Sequence, residues 1–480
     1  MRVKISLIGR CVLCLSAVII LAGCDGPWSG RSGGGASNSP SINISTASSG
    51  TTAYGVLGTS TARIAFIPSG NTVLPVLLES TGTAHISGSR QSIAAAGSVS
   101  ANAVTPLSIS FNVDACAVDS QDLKAICIGY HTPQIAVLDL TQFAQSLSIT
   151  DITVSEFDTG AGSIVSGYSG GSCIICGAAA DIGKHRFVVG GTGGFRVFNY
   201  GSSQLAARYD IPVGENFAFL SQPGSDSYII APEYDSSLSV SNIPTKKLRV
   251  VNLEKATSYE WSVNMADASA LGGSLGAASV AAQDIDAAAV DINTKMIALS
   301  TESSDVFLLV DFGQAIFNEV DKTFTASFQI VNRTYSESGL GRLTDVAMST
   351  TGNLLLSHGE FSSYIGLTQM PASAGVSGVF PAGVGSLGEV ELNDANLNRA
   401  PCSSSGTGAF SFSGKGDPHG LGLYAGLDNG QKGLIVNSDN TCIAIIDLAK
   451  LKDAPRTSSN GNLFDTSAPG VSGLFSFMKL

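Results

Sequence analysis

Three observations predict an all-β fold assembled from repeated sheets. The 480-residue chain is 44% hydrophobic and only 13% charged, and its polarity comes from Ser, Thr, Asn and 55 glycines. Ordinary soluble domains carry far more charge, and residues of these polar types suit turns and strands. From residue 55 onward, short apolar runs alternate with Gly, Asn, Asp and Ser clusters, with no sustained helical periodicity. Finally, one phrase recurs. Residues 135–140 (IAVLDL), 195–200 (FRVFNY), 248–253 (LRVVNL), 307–312 (FLLVDF) and 443–448 (IAIIDL) each read as a strand that stops at Asp or Asn.

The amino terminus is read separately. Arg2, Lys4 and Arg10 flank an apolar run at 12–21 (VLCLSAVIIL), too short for a permanent span, so residues 1–23 read as an export signal. Its end, Leu21, Ala22, Gly23 and Cys24, resembles the lipobox of bacterial lipoproteins at all four positions. That resemblance implies cleavage before Cys24, a diacylglycerol on its sulfur and an acyl chain such as palmitate on its new amine. Several chains together anchor firmly, whereas one does so only marginally. The expected location is therefore a bacterial cell envelope, lipid-anchored and facing the periplasm or the exterior, with inner and outer membrane both open. Losing residues 1–23 removes three positive charges and no negative ones, so the formal charge of −12 becomes −15. Acidity of this kind argues against nucleic acid as a partner and against membrane contact beyond the anchor. Residues 24–52, almost wholly Gly, Ser, Asn and Thr after the first few, form a flexible tether spanning about 30 Å.

Residues 53–480 are expected to form a β-propeller. Ahead of each closing phrase lies another strand across a polar turn: 124–129 (KAICIG), 186–190 (RFVVG), 227–231 (SYIIA), 295–300 (KMIALS) and 432–437 (KGLIVN). A degenerate sixth copy occupies 352–357 (GNLLLS) and 363–367 (SYIGL). Asp139, Asn199, Asn252 and Asp311 are separated by 60, 53 and 59 residues, a period that suits propeller blades with modest insertions. Strands at 63–67 and 73–78 supply a seventh blade, with six or eight blades left open. The N-terminal strands are expected to complete the last blade beside 443–448 or the terminal 471–480, closing the ring by non-local pairing. Residues 371–415 read as a long insertion. The phrases at 211–219 (IPVGENFAF), 228–230 and 250–253, and again at 416–423 (GDPHGLGL) and 443–447, resemble the YVTN-type repeats of bacterial surface and periplasmic β-propellers. Phe217 stands where that family usually has Pro, and 265–285 and 371–415 do not fit it. Propellers host many functions, so the resemblance implies architecture and not activity.

Cys11 and Cys14 leave with the signal, and six cysteines remain besides Cys24. Sequence proximity pairs Cys116 with Cys127, Cys173 with Cys176 and Cys402 with Cys442, three disulfides fitting an oxidising compartment. The CxxC spacing of Cys173 and Cys176 also fits a redox pair, but no following helix or βαβ pattern supports it. Chemistry is sparse elsewhere. Ser169 sits in a GxSxG match (GYSGG) without the strand-turn-helix context that motif needs. His419 and His358 are the weak catalytic candidates, each close enough in sequence to a strand end to approach a channel mouth. No zinc spacing occurs among the five histidines. Residues 394–398 (DANLN) lack the glycine and glutamate of a calcium loop, and Asp284, Asp286 and Asp428 suit solvated turns. Asp139, Asp311 and Asp447 read as turn-capping residues. The expectation is a monomeric, non-catalytic binding or scaffold protein for an envelope protein, glycan or small ligand, with no cofactor or metal. The alternatives are a propeller-mouth hydrolase or lactonase and an envelope-assembly accessory lipoprotein.

Overall fold

A computed structural model describes residues 54–56, 63–78, 84–86, 106–162, 174–211, 217–232, 245–264, 285–301, 306–332, 343–391, 422–436 and 442–479, apart from gaps of one to four residues within these spans. The described part is a succession of antiparallel sheets. The first sheet contains β1 (Tyr54–Val56), β2 (Arg63–Ser69), β3 (Thr72–Leu78) and β4 (Ala84–Ile86), with β5 (Leu107–Ser108) also on β3. The second holds β6 (Ala115–Asp119), β7 (Lys124–Ile128), β8 (Gln134–Asp139) and β9 (Thr153–Asp158), with the short helix α1 (Phe143–Ser146) before β9. The third holds β10 (Gly177–Asp181), β11 (Arg186–Gly191), β12 (Gly194–Asn199) and β13 (Leu205–Tyr209).

The fourth unit contains β14 (Ala218–Leu220), β15 (Tyr228–Pro232), β16 (Thr245–Asn252) and β17 (Thr257–Asn264). The fifth contains β18 (Ile285–Asp291), β19 (Met296–Thr301), β20 (Val306–Asn318) and β21 (Thr323–Asn332). Their outer strands β17 and β21 touch in parallel at Glu260 and Thr323, so the two units form one eight-stranded sheet. The sixth contains β22 (Leu343–Met348), β23 (Leu354–Gly359), β24 (Tyr364–Gln369) and β25 (Gly385–Glu391). The seventh contains β26 (Gly422–Leu427), β27 (Lys432–Val436), β28 (Cys442–Asp447) and β29 (Phe475–Lys479), with helix α2 (Leu448–Asp453) after β28.

First strands face first strands. β1 and β2 lie beside β6, β6 beside β10, β14 beside β18, β18 beside β22 and β22 beside β26, which is the radial stacking of a β-propeller. The inner strands are consequently covered on both faces, and β6 and β10 are buried at every position. The outer strands β9 and β13 are largely exposed. Strands covered on both faces read as unbroken apolar runs, which explains how a chain this long carries so little charge.

Two expectations are corrected. The edge of β28 is filled by β29 from the chain's own C-terminal stretch, while β1 to β4 make a sheet of their own. Local pairing explains the outcome: β2 and β3 close across Gly70 and Asn71, with Gly70 at φ 59°, so that hairpin spends little loop-closure entropy. The stretch 371–415 is not wholly insertion, because β25 within it is the outer strand of the sixth sheet.

The turns follow one local rule. Among the described residues, six that are not glycine have left-handed backbones: Leu123, His185, Ala256, Lys295, Lys322 and Asn353. Each lies four residues after an Asp, Asn or Ser: Asp119, Asp181, Asn252, Asp291, Asn318 and Ser349. Register explains the recurrence. Asp119 pairs with Lys124, Asp181 with Arg186, Asn252 with Thr257, Asp291 with Met296 and Asn318 with Thr323, so four residues separate each pair and the last turns left-handed. The leading side chain caps the turn in four of these. Asp119 Oδ1 accepts from the N–H of Gln121 and Asp122, Asn252 Oδ1 from Lys255, Asp291 Oδ1 from Asn293, and Asn318 Oδ1 from Val320 and Asp321. Ala256→Gly is therefore expected to raise the unfolding free energy by about 0.5–1 kcal/mol, and Ala256→Val to lower it, in urea titrations. A neutral result for both would refute a cost at this turn.

Candidate functional site

Strands that run antiparallel bring the first-to-second and third-to-fourth turns of every sheet to one rim of the ring. On this rim each of five successive sheets reaches back to its predecessor. Tyr200, just after β12, donates its hydroxyl to Asp119 Oδ2 of the second sheet at 3.2 Å, and Asp122 meets His185 Nδ1 at 2.8 Å. Glu254 of the fourth sheet accepts from Lys184 Nζ of the third at 2.7 Å and also from Arg186. Asp181, fully buried, holds Arg186 Nε at 2.5 Å through Oδ2 and accepts Ser221 and Ser227 hydroxyls of the fourth sheet through Oδ1, both at 2.6 Å.

The remaining contacts continue the pattern. Glu319 at the β20–β21 turn accepts from Tyr259 at 2.9 Å and Lys255 at 3.1 Å in the fourth sheet. Gly375 N–H donates to Asp311 Oδ2 of the fifth sheet at 2.7 Å, and a Cβ on Gly375 would strike Val379 O, so the approach requires glycine. Residues 462–464 after α2 run along β25: Glu389 N–H donates to Asn462 O, and Phe464 N–H to Glu389 O. Arg456 stacks 3.6 Å over the Phe464 ring and donates to Leu387 O. The rim is thereby cross-linked from the second sheet to the seventh.

Burial, neighbouring charges and hydrogen bonds shift several of these groups. Burial pushes the Asp119 carboxyl up and is partly offset by backbone donors; burial and the neighbouring Asp119 charge push Tyr200 well above the usual phenol range. Burial also raises Glu254, but hydrogen bonds from Lys184 and Ser227 N–H and the Arg186 charge bring it below the usual range. Hydrogen bonds from Tyr259, Lys255 and Lys322 lower Glu319 to about 2.

The expected site residues fall as follows. Cys116 and Cys127 are directly opposite on β6 and β7 and form a disulfide with Cα atoms 4.1 Å apart. Cys24, Cys173, Cys176, Cys402, Ser169, His419, residues 394–398, Asp284 and Asp428 lie outside the described residues. Cys442 opens β28 opposite Lys479, and His358 lies on β23 opposite Asp345 and Ile365; Asp286 lies on β18; the side chains of these three fall outside the description. Among the described residues no group of three or more His, Cys, Asp and Glu could hold a metal ion, and no helix is long and apolar enough to cross a membrane.

Asp139 and Asp447 cap local turns as expected, accepting Thr141 N–H and Lys450 N–H. Asp311 departs from that reading: it is fully buried and receives the N–H of Gly375 from the next sheet. Sequence reasoning also missed Arg196. It is 2% exposed and is the one basic side chain among the buried described residues. Its hydrogen bond goes to the carbonyl of its neighbour Phe195 at 3.1 Å, and β13 places Arg208 directly opposite it.

No protein-family model and no curated protein matches the chain. Among solved structures it is similar to Kuenenia stuttgartiensis hydrazine synthase, with 10% identity and a TM-score of 0.47, covering 87% of this chain and 98% of that one. It is also similar to the RRP9 WD40 repeats, with 13% identity and a TM-score of 0.42 over 85% and 91% of the two chains. A third, U3-55K, has 12% identity and a TM-score of 0.42 over 82% and 88%. The propeller architecture itself stands on the strand pairing and sheet stacking described above.

Proposed function

We propose that this chain is an exported, lipid-anchored β-propeller that binds a protein, glycan or small ligand of the bacterial envelope as a monomer, without catalysis. The observation that carries the binding reading is the use made of its carboxylates. Asp119, Asp181, Asp291, Glu254 and Asp311 are each engaged in turn capping or sheet-to-sheet bonds, which makes a rigid disc on which loops can present recognition surfaces. Export is supported by the Cys116–Cys127 disulfide, a bond that persists in oxidising compartments. The anchor is supported by the sequence ending at Cys24.

Mass spectrometry of the membrane-bound protein is expected to find a mature chain beginning at a lipidated Cys24; an unmodified Cys24 would end the anchor reading. Mild crosslinking in intact envelopes is expected to recover a reproducible partner, or a glycan array a bound sugar. Turnover in a hydrolase panel that disappears in His419→Ala or His358→Ala would replace this reading with an enzymatic one.

A further inference from the structure

Arg196 and Arg208 occupy a position that calls for an anion. They are direct partners across β12 and β13, so both side chains project from one face of the third sheet. Register identifies that face. Arg196 pairs with Val189 on β11 and shares its face with Phe198 two residues on, which pairs with Phe187; Phe198 and Phe187 pack on Phe157 of the second sheet at centroid distances of 5.4 and 6.2 Å. Both guanidiniums therefore belong to the wedge between the second and third sheets. Arg196 comes two residues after Gly194, where the β11–β12 connection ends. A Cβ on neighbouring Gly193 would lie 2.7 Å from Gly162 O, so the chain leaving β9 crosses beside that connection.

Two like charges directly opposite on a sheet repel, and a buried cation loses its hydration. Three other buried charges are met: Asp181 has Arg186 and two hydroxyls, and Asp119 and Asp291 have backbone donors. Arg196 is different. Among the described residues no carboxylate is in ion-pair contact with it, and its own hydrogen bond is to Phe195 O. Arg208 is half exposed and holds Asp210 at 2.6 Å, so its fork is accessible from solvent. Burial and the Arg208 charge both disfavour the charged form of Arg196, and the Asp210 charge opposes them.

We propose that Arg196 and Arg208 form a binding site for an oxyanion group, a carboxylate or phosphate carried by the ligand, seated between the second and third sheets. The planar guanidinium fork of Arg196 receives two of its oxygens, and Arg208 closes the outer side by exchanging Asp210 for the ligand. Such a site gives the binding role proposed above a ligand chemistry and rests on that role for its use in the cell, whereas the site itself does not depend on the anchor or on any envelope partner.

The test uses the full chain and two probes, inorganic phosphate and acetate, titrated at constant ionic strength with chloride as the balancing anion. Thermal melting and Arg side-chain NMR are the readouts. The wild-type protein is expected to show a saturable rise in melting temperature and a saturable shift of the Arg196 Nε resonance with at least one probe, and the probe that saturates names the oxyanion class. Arg196→Met, which keeps the stem and removes the charge, is expected to weaken apparent affinity by about tenfold or more, and Arg208→Gln by a smaller factor. Because Arg208 is exposed, its variant reports even if Arg196→Met fails to fold. Saturation by neither probe in the wild-type protein, or equal affinity in wild type and Arg208→Gln together with an unshifted Arg196 resonance, would overturn the site. Neither result touches the lipid anchor or the crosslinked partner, which are read by mass spectrometry.

Discussion

Asp181→Ala is expected to lower the unfolding free energy by about 3–5 kcal/mol, measured by guanidinium or thermal unfolding. The carboxylate is fully buried and joins two sheets, holding Arg186 on one side and the hydroxyls of Ser221 and Ser227 on the other. Removing it leaves the Arg186 charge with Glu254 alone and strands two hydroxyls, so the loss exceeds the value of any single bond. Asp181→Asn keeps an acceptor for the two serines and is expected to lose clearly less. A double-mutant cycle with Ser227→Ala separates the hydroxyl contribution from that of Arg186. A loss below about 1 kcal/mol for Asp181→Ala would show that the rim network does not hold these sheets together.

Removing the Cys116–Cys127 bond is the second large effect. The bridged residues are 11 positions apart, and closing a loop of that size stabilises the fold by about 3 kcal/mol in the chain-entropy model. Paired Cys116→Ala and Cys127→Ala substitutions add the loss of two sulfurs from the interior, since the residues are only 2% and 0% exposed. The double variant is expected to unfold at lower denaturant with little change in the slope of the transition. The same burial makes the native bond resistant to mild reductant, so thiol labelling is expected only as the protein unfolds. Rapid labelling of the native protein after brief reductant treatment would contradict the buried placement.

Much of the architecture is visible in the sequence because it depends on local chemistry. The pairs 124–129 with 135–140, 186–190 with 195–200 and 295–300 with 307–312 reappear as the second and third strands of the second, third and fifth sheets, joined by short connections. Asp139, Asn252 and Asp447 cap turns within a few residues of themselves, which an Asp or Asn after an apolar run announces. Asp119, Asp181 and Asp291 obey the same spacing and were equally legible. They end the first strand of a unit and so lie outside the recurrent phrase, which ends the third.

Asp311 marks where local reasoning stops. It has the same sequence setting as Asp139, but its donor is Gly375, 64 residues later. The seventh sheet makes the same point: local patterning identifies 443–448 as a strand, while the choice of β29 over the N-terminal strands is a competition between edges that sequence periodicity does not rank.

The sequence by itself determined the repeated strand-turn-strand unit and the abundance of capped turns, because each depends on side chains within a few positions of one another. Tertiary structure decided how the sheets interlock along one rim, which carboxylates are buried between them, and that Arg196 faces Arg208. Those outcomes depend on strand register and on the stacking of sheets built from distant parts of the chain, and burial turns an ordinary polar residue into one that must find a partner.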